Sequence, residues 1–195
     1  RDYYASRGLG DVYKRQAQMI ADRDRGHSWT RAILGVKADE IHICMSPAAE
    51  EVVTHLIALC EDTFEVRHYE RKTALVCEQE AFVFPDDVTE GDALITFTKR
   101  AVLDIAGRLE REGIRASVIY GSLPPEIRRR QIRLFLSHET KVVVSTDAIG
   151  MGLNLPVRRI VFIQTEKYDG ISTRPLNIPE IRQIAGRAGR FGMYD

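Results

Sequence analysis

Lys141–Asn154 reads KVVVSTDAIGMGLN. Its apolar run is strand-sized and ends in Ser145, Thr146 and Asp147, where short hydroxyls suit phosphate oxygens and a carboxylate suits a ribose hydroxyl or a water. The glycines at Gly150 and Gly152 form a turn whose backbone amides can approach an anion closely. Asp147 has a plainer role open to it, as the N-cap of a helix that follows the strand. In a parallel α/β sheet the ligand lies where loops converge at the carboxyl ends of the strands, so residues that follow strands are the ones to inspect.

Outward from this stretch the pattern alternates. Upstream, a strand over Ala93–Phe97 precedes a helix over Ala101–Glu112 that stops at Gly113. A strand over Ala116–Tyr120 follows, then a helix launched by Pro124 and Pro125 and running to Ser137. Downstream come a strand over Arg159–Gln164 and a last helix opening at Pro179. Strands alternating with helices predict a parallel sheet with helices on both faces.

A second, shorter series precedes it. His27–Gly35 reads as a helix, Glu40–Cys44 (EIHIC) as a strand, and Ala48–Leu59 as a helix with Val52, Val53, Leu56, Ile57 and Leu59 forming a stripe. Phe64–Leu75 alternates apolar and charged residues as a half-exposed strand does, and Pro85–Gly91 is a breaker-rich turn. Residues 17–75 are therefore expected to be the tail of a first α/β domain, 76–92 a linker and 93–195 a second domain. Arg1–Gln16 lacks an amphipathic period and resembles translated adapter sequence, so residues 1–16 are set aside as a non-native leader.

Composition closes off other classes. At 195 residues, 44% hydrophobic and 29% charged, the chain has the make-up of a globular protein with a real core. No apolar run approaches the roughly 20 residues of a membrane span. Cys44, Cys60 and Cys77 are odd in number and widely spaced, which predicts buried free thiols rather than a disulfide or zinc framework. The formal charge is zero overall. Residues 1–98 nevertheless carry 11 basic and 18 acidic side chains, and residues 99–195 carry 17 and 10, so an anionic partner would favour the second half.

Gln183–Arg190 reads QIAGRAGR. Two arginines on a solvated face would be its plain reading. On a continuous helix, however, Gln183, Arg187 and Arg190 fall within about 60° of one another, among glycines and alanines that let something approach closely. That spacing predicts a phosphate-facing site.

Together with ITFTKR (Ile95–Arg100) and YGSLPP (Tyr120–Pro125), in this order, these strings resemble the second RecA-like lobe of superfamily-two helicases. More narrowly they are similar to the DExH-type RNA helicases of the mitochondrial degradosome branch, which also has bacterial members. The resemblance implies a RecA-like parallel sheet preceded by the tail of a first RecA-like lobe, and ATP-driven 3′-to-5′ unwinding of RNA. It implies that Thr98 and Thr146 contact the sugar-phosphate backbone of a single strand, and that Asp147, Gly150 and Gly186 sit near the nucleotide. Gln183 would approach the γ-phosphate, with Arg187 and Arg190 as arginine fingers stabilising charge on the transferring phosphoryl group. ATP and Mg²⁺ are the implied cofactors, both held mainly by a first lobe. The implied partners are single-stranded RNA or a duplex with a 3′ tail, and an exoribonuclease, with no membrane. A bacterial cytoplasm is the expected location, or a mitochondrion in a eukaryote.

Three departures qualify the match. The Asp-Glu pair that holds Mg²⁺ in the family would fall at Arg15 and Gln16, and no G-x-x-x-x-G-K-[ST] loop occurs. Ser46, Pro47 and Ala48 match the coupling motif only in part. The chain is accordingly expected to be a fragment supplying the later helicase motifs. A DNA translocase lobe and a non-catalytic nucleic-acid-binding module remain as alternatives, while a dinucleotide-binding domain lacks its G-x-G-x-x-G after any expected strand.

Overall fold

A computed structural model describes residues 12–16, 20, 26–70, 74–150 and 155–189, and it divides into two compact units, Arg1–Tyr69 and Glu70–Asp195. In the first unit, β1 (Val12–Gln16) pairs in parallel with β2 (Glu40–Cys44), register Val12 with Glu40 through Gln16 with Cys44. Five residues of the stretch set aside as a leader thus belong to the fold. The stretch has no amphipathic period, and the strand's place comes instead from backbone pairing with a partner 28 residues along the chain.

Helix α1 (Gly26–Gly35) and helix α2 (Glu50–Leu59) complete this unit, α2 entering through a 3-10 turn at Pro47–Ala49. Ala49 and Val53 are buried against Ile33, Ile43 and Ile57, so the stripe foreseen on α2 is narrower than its sequence suggests: Val52 and Leu59 stay half exposed or more. The strand expected over Phe64–Leu75 is not formed among its described residues, and 61–70 are exposed throughout. Alternation there has no neighbouring strand to take up its backbone groups, and without a ladder the pattern alone makes no strand.

The second unit holds β3 (Asp92–Ile95), α3 (Lys99–Arg111), β4 (Ala116–Ile119), α4 (Pro125–Leu136), β5 (Val142–Ser145), β6 (Arg159–Phe162), the hairpin β7 (Glu166–Tyr168) and β8 (Thr173–Pro175), and α5 (Ile178–Ala185). Four strands form a parallel sheet in the order β4-β5-β3-β6. The strands β3 and β5 are buried along their whole length. Their side chains divide by the two-residue period: Ala93, Ile95 and Val143 join Phe135 of α4 and Ile184 of α5, while Leu94, Val142 and Val144 join Val102, Ile105 and Leu109 of α3. Helices therefore cover both faces, as the alternation of elements predicts.

Local chemistry sets the ends of these elements. The Thr98 hydroxyl caps α3 by accepting from the Ala101 amide at 3.1 Å. Gly113 ends that helix at φ +77, a left-handed conformation that suits glycine, with Ile114 N donating to Leu109 O at 2.8 Å. The hairpin β7–β8 was not foreseen, although Asp169-Gly170 is a strong short-range turn signal. Asp169 Oδ1 accepts from the amides of Ile171 and Ser172, both at 2.9 Å, and Gly170 takes φ +103.

The segment read as a linker packs onto the sheet. Phe82, Phe84 and Val88 lie against the α3-side core, and the Arg108 guanidinium stands 4.5 Å over the Phe84 ring. Arg159 reaches Glu78 at 2.9 Å, the Asp87 carbonyl at 2.7 Å and the fully buried Asp92 at 2.7 Å. The three cysteines are free, yet Cys44 and Cys77 are exposed and Cys60 is half-buried, so the expected burial of thiols fails. Count and spacing decide pairing but say nothing of which face a strand or a loop presents.

Candidate functional site

Because β3, β4, β5 and β6 run in parallel, the residues following them gather at one edge of the sheet. Thr96 and Thr98 follow β3, Gly121 follows β4, Thr146 follows β5, and Gln164 follows β6. Thr98 is exposed, with its hydroxyl engaged as the α3 cap. Thr146 is nearly buried: its amide donates to Ile119 O at 3.0 Å, and its hydroxyl accepts from Ala148 N at 3.3 Å. That hydroxyl organises the 3-10 turn Asp147–Gly150, so Asp147 is no N-cap.

Asp147 instead faces Lys167 of β7, whose ammonium lies 3.7 Å from its carboxylate. The same ammonium lies 2.5 Å from Glu180 on α5, and Glu180 also receives a two-pronged fork from Arg174 of β8, both bonds at 2.9 Å. Glu180 further closes a capping box with Asn177: each backbone amide donates to the other's side chain, at 2.9 Å. Burial opposes ionisation of Glu180, but Arg174, Lys167 and the Asn177 amide outweigh it and hold the carboxyl at about 2.

A carboxyl depressed in the folded state gives stability that is full above its ordinary value near 4.5 and lost as pH falls through about 2. The first turn of α5 is therefore expected to fray across that window. Amide exchange at Glu180 and Ile181 checks this, and in Glu180→Gln the acid step should vanish. An identical acid step in the variant would show that another group is responsible.

Helix α5 ends at Ala185, capped at Gly186, whose N–H donates to Arg182 O at 2.9 Å. Arg187 therefore lies in the following turn, and Gln183 and Arg187 do not share the helix face expected for them. Gly186 caps the helix in a right-handed conformation, and beyond it Gly189 takes φ +54 while Ala188 forms a parallel bridge with Val157. Arg190 lies outside the described residues.

Arg187 and Gln183 converge all the same, on Gly150. The Arg187 guanidinium donates to the Gly150 carbonyl. A methyl built on Gly150 would stand 3.4 Å from Gln183 Cγ and 3.6 Å from its Nε2, so a larger side chain would displace the glutamine. The turn after β5 and the end of α5, 33 residues apart in the chain, thus form one half-buried cluster of amide, carbonyl and guanidinium.

The helicase conserved C-terminal domain profile matches residues 72–192, and that of the DEXQ-box helicase domain of Suv3 matches residues 14–69. The chain belongs to the helicase C-terminal domain family. It is similar to the mitochondrial DExH-box ATP-dependent RNA helicase DExH18 of Arabidopsis thaliana, 43% identical over 91% of this chain and 23% of that protein. It is also similar to the mitochondrial ATP-dependent RNA helicase SUV3 of Oryza sativa subsp. japonica, at 42% over 91% of this chain and 31% of the other. The human mitochondrial ATP-dependent RNA helicase SUPV3L1 is 40% identical over 90% of this chain and 23% of its own. The chain thus spans between about a quarter and a third of the length of these relatives. Among solved structures, Saccharomyces cerevisiae Dbp5 bound to RNA and ADP BeF3 superposes with a TM-score of 0.64 at 18% identity, over 93% of this chain and 50% of that one, a likeness of fold.

These relatives correct one expectation. All three are named as mitochondrial proteins of eukaryotes, which overturns the bacterial cytoplasm read from the sequence. The motif strings are dictated by phosphate and sugar chemistry, which is the same in every compartment, so they carried no signal of location.

Four residues of this helicase C-terminal domain escape the sequence patterns. Gln164 Oε1 accepts from the Phe97 amide at 3.2 Å, steadying the loop that carries Thr98; its position two residues past β6 is the available signal. Lys167 and Glu180 tie Asp147 to α5. Thr96 is buried with no partner for its hydroxyl among the described residues. For Mg²⁺, no group of three or more His, Cys, Asp or Glu among the described residues is placed to hold a metal ion. The donors of Gln183 and Arg187, by contrast, suit the oxygens of a polyphosphate.

Proposed function

We propose that this chain is the part of an ATP-dependent RNA helicase that grips a single strand and reads the nucleotide's terminal phosphate, in an enzyme that unwinds RNA 3′ to 5′. Thr98 and Thr146 are assigned to the sugar-phosphate backbone, and Asp147, Gly150 and Gly186 to the neighbourhood of the nucleotide. Gln183, Arg187 and Arg190 are assigned to the phosphoryl group, where planar guanidinium forks stabilise developing charge. The convergence of Arg187 and Gln183 on Gly150 carries this reading, because it joins the strand-contacting turn to the phosphate-facing segment. RNA is favoured over DNA because the relatives are named RNA helicases. An exoribonuclease is proposed as the further partner that would consume the unwound strand.

In the full-length gene product, RNA-stimulated ATP hydrolysis and unwinding of an RNA duplex with a 3′ tail, against one with a 5′ tail, test the proposal. Equal unwinding of DNA would favour a translocase lobe, and RNA binding without hydrolysis would favour a non-catalytic module. The 195-residue chain on its own is expected to release no phosphate from ATP, since its sequence holds no Walker-type lysine loop. Its binding to single-stranded RNA should be weak, with log K falling against log[salt] at a slope of about −1.5 to −2, as for two or three phosphate contacts at ~0.7 each. Tight binding indifferent to salt would contradict this.

A further inference from the structure

The hairpin β7–β8 stands between the turn that follows β5 and helix α5, and both its strands send cations to one carboxylate. Lys167, only 18% exposed, lies within reach of two acids on separate elements: Glu180 at 2.5 Å and Asp147 at 3.7 Å. Arg174 on the facing strand forks Glu180 and reaches Asp169 at 3.4 Å, which fastens the hairpin's tip to its base. Glu180 in turn holds the first turn of α5 through the Asn177 capping box. Lys167 and Glu180 are sheltered, at 18% and 19% side-chain exposure, whereas Asp147 at 42% is open to solvent, so of the two pairs Lys167–Glu180 is the costlier to separate.

We propose that the β7–β8 hairpin is a strap that fixes the Asp147–Gly150 turn against α5, with Lys167 and Glu180 as positioning residues for Asp147, Gln183 and Arg187. Neither residue touches the phosphate in this scheme. Lys167 sets where Asp147 stands, and Glu180 sets both the Lys167 ammonium and the start of the helix that carries Gln183. The effect of the strap on turnover rests on the function proposed above, whereas its effect on the turn does not.

The first test reads hydrogen exchange in the full chain. Glu180 does not touch the turn, yet Glu180→Gln is expected to speed exchange at the amides of Ala148 and Ile149, which bond to Thr146, by about five- to tenfold. Lys167→Met should do the same, the double variant should add little to either, and Lys167→Arg should restore protection. Amides of β3 and β5 should keep their protection, which separates loosening of the turn from unfolding. Unchanged exchange at Ala148 and Ile149, or full additivity in the double variant, would overturn the strap.

The second test reads ATP turnover in the full-length gene product with saturating RNA. Lys167→Met is expected to lower kcat about ten- to a hundredfold, as misplacement of positioned groups does, with a smaller change in KM for ATP and recovery in Lys167→Arg. A wild-type kcat in a variant whose turn exchanges faster would overturn the positioning role. Absence of RNA-stimulated hydrolysis in the wild type would instead sink the proposed function, and the exchange result would still decide the strap.

Discussion

Arg187→Lys in the full-length gene product is expected to lower RNA-stimulated ATP turnover by about 10³-fold or more while leaving RNA affinity nearly intact. Lysine keeps the charge but not the planar fork that can bridge two phosphate oxygens, and its ammonium is a compact, more strongly hydrated donor. Arg187 lies in the turn after α5, against the Gly150 carbonyl, so its place is set by local backbone rather than by helix register. Arg190→Ala is expected to behave likewise. Arg182→Ala is the control: Arg182 is exposed on α5, about 100° around the helix from Gln183, and its loss should be mild. Damage from Arg182→Ala equal to that from Arg187→Lys, or full activity in the latter, would remove the finger role.

The second large effect concerns stability. Asp92 opens β3 with its side chain wholly buried, accepting from Arg159 Nη2 at 2.7 Å and Nε at 3.1 Å, from Arg158 at 3.1 Å and from the Thr89 amide at 2.9 Å. Hydrogen bonding to Asp92, reinforced by Glu78, holds the Arg159 guanidinium more firmly protonated than usual despite its partial burial. Asp92→Asn would present an amide NH₂ to these guanidinium groups, remove the carboxylate that Arg158 faces and leave Arg159 to the exposed Glu78. Breaking a buried pair in this way costs ~3 kcal/mol or more. The second unit is then expected to melt roughly 10–15 °C lower. Asp104→Asn, on an exposed position of α3, should change stability by less than about 0.5 kcal/mol. Equal melting of the two variants would show that the Asp92 cluster contributes nothing net.

The parallel sheet was legible because β3 and β5 are continuous apolar runs that stop at hydroxyls, and because Gly113, Pro124 and Pro125 punctuate the helices between them. What escaped was whatever depends on a distant partner. The strand at Val12–Gln16 exists through its ladder with Glu40–Cys44, and the alternation at Phe64–Leu75 yields no strand among its described residues. In the candidate site, Gln183 and Arg187 were readable as phosphate chemistry from QIAGRAGR, but the geometry joining them was misread. A helical wheel cannot register that Gly186 caps the helix, or that both side chains meet at Gly150. Lys167 and Glu180 escaped for the same reason, since their significance lies in a contact across 13 residues and two elements.

The packing of Phe82 and Phe84 under α3, with Arg159 gripping Glu78 and the Asp87 carbonyl, bears on where the polypeptide can be cut. A shortened version of the second unit that starts at β3 would strip two aromatic rings from its own interior and leave Arg108 and Arg159 facing solvent over bare apolar surface. Such a piece should aggregate. One that starts ahead of Glu78 keeps this flap, and the shortest soluble version of the unit is expected to begin there.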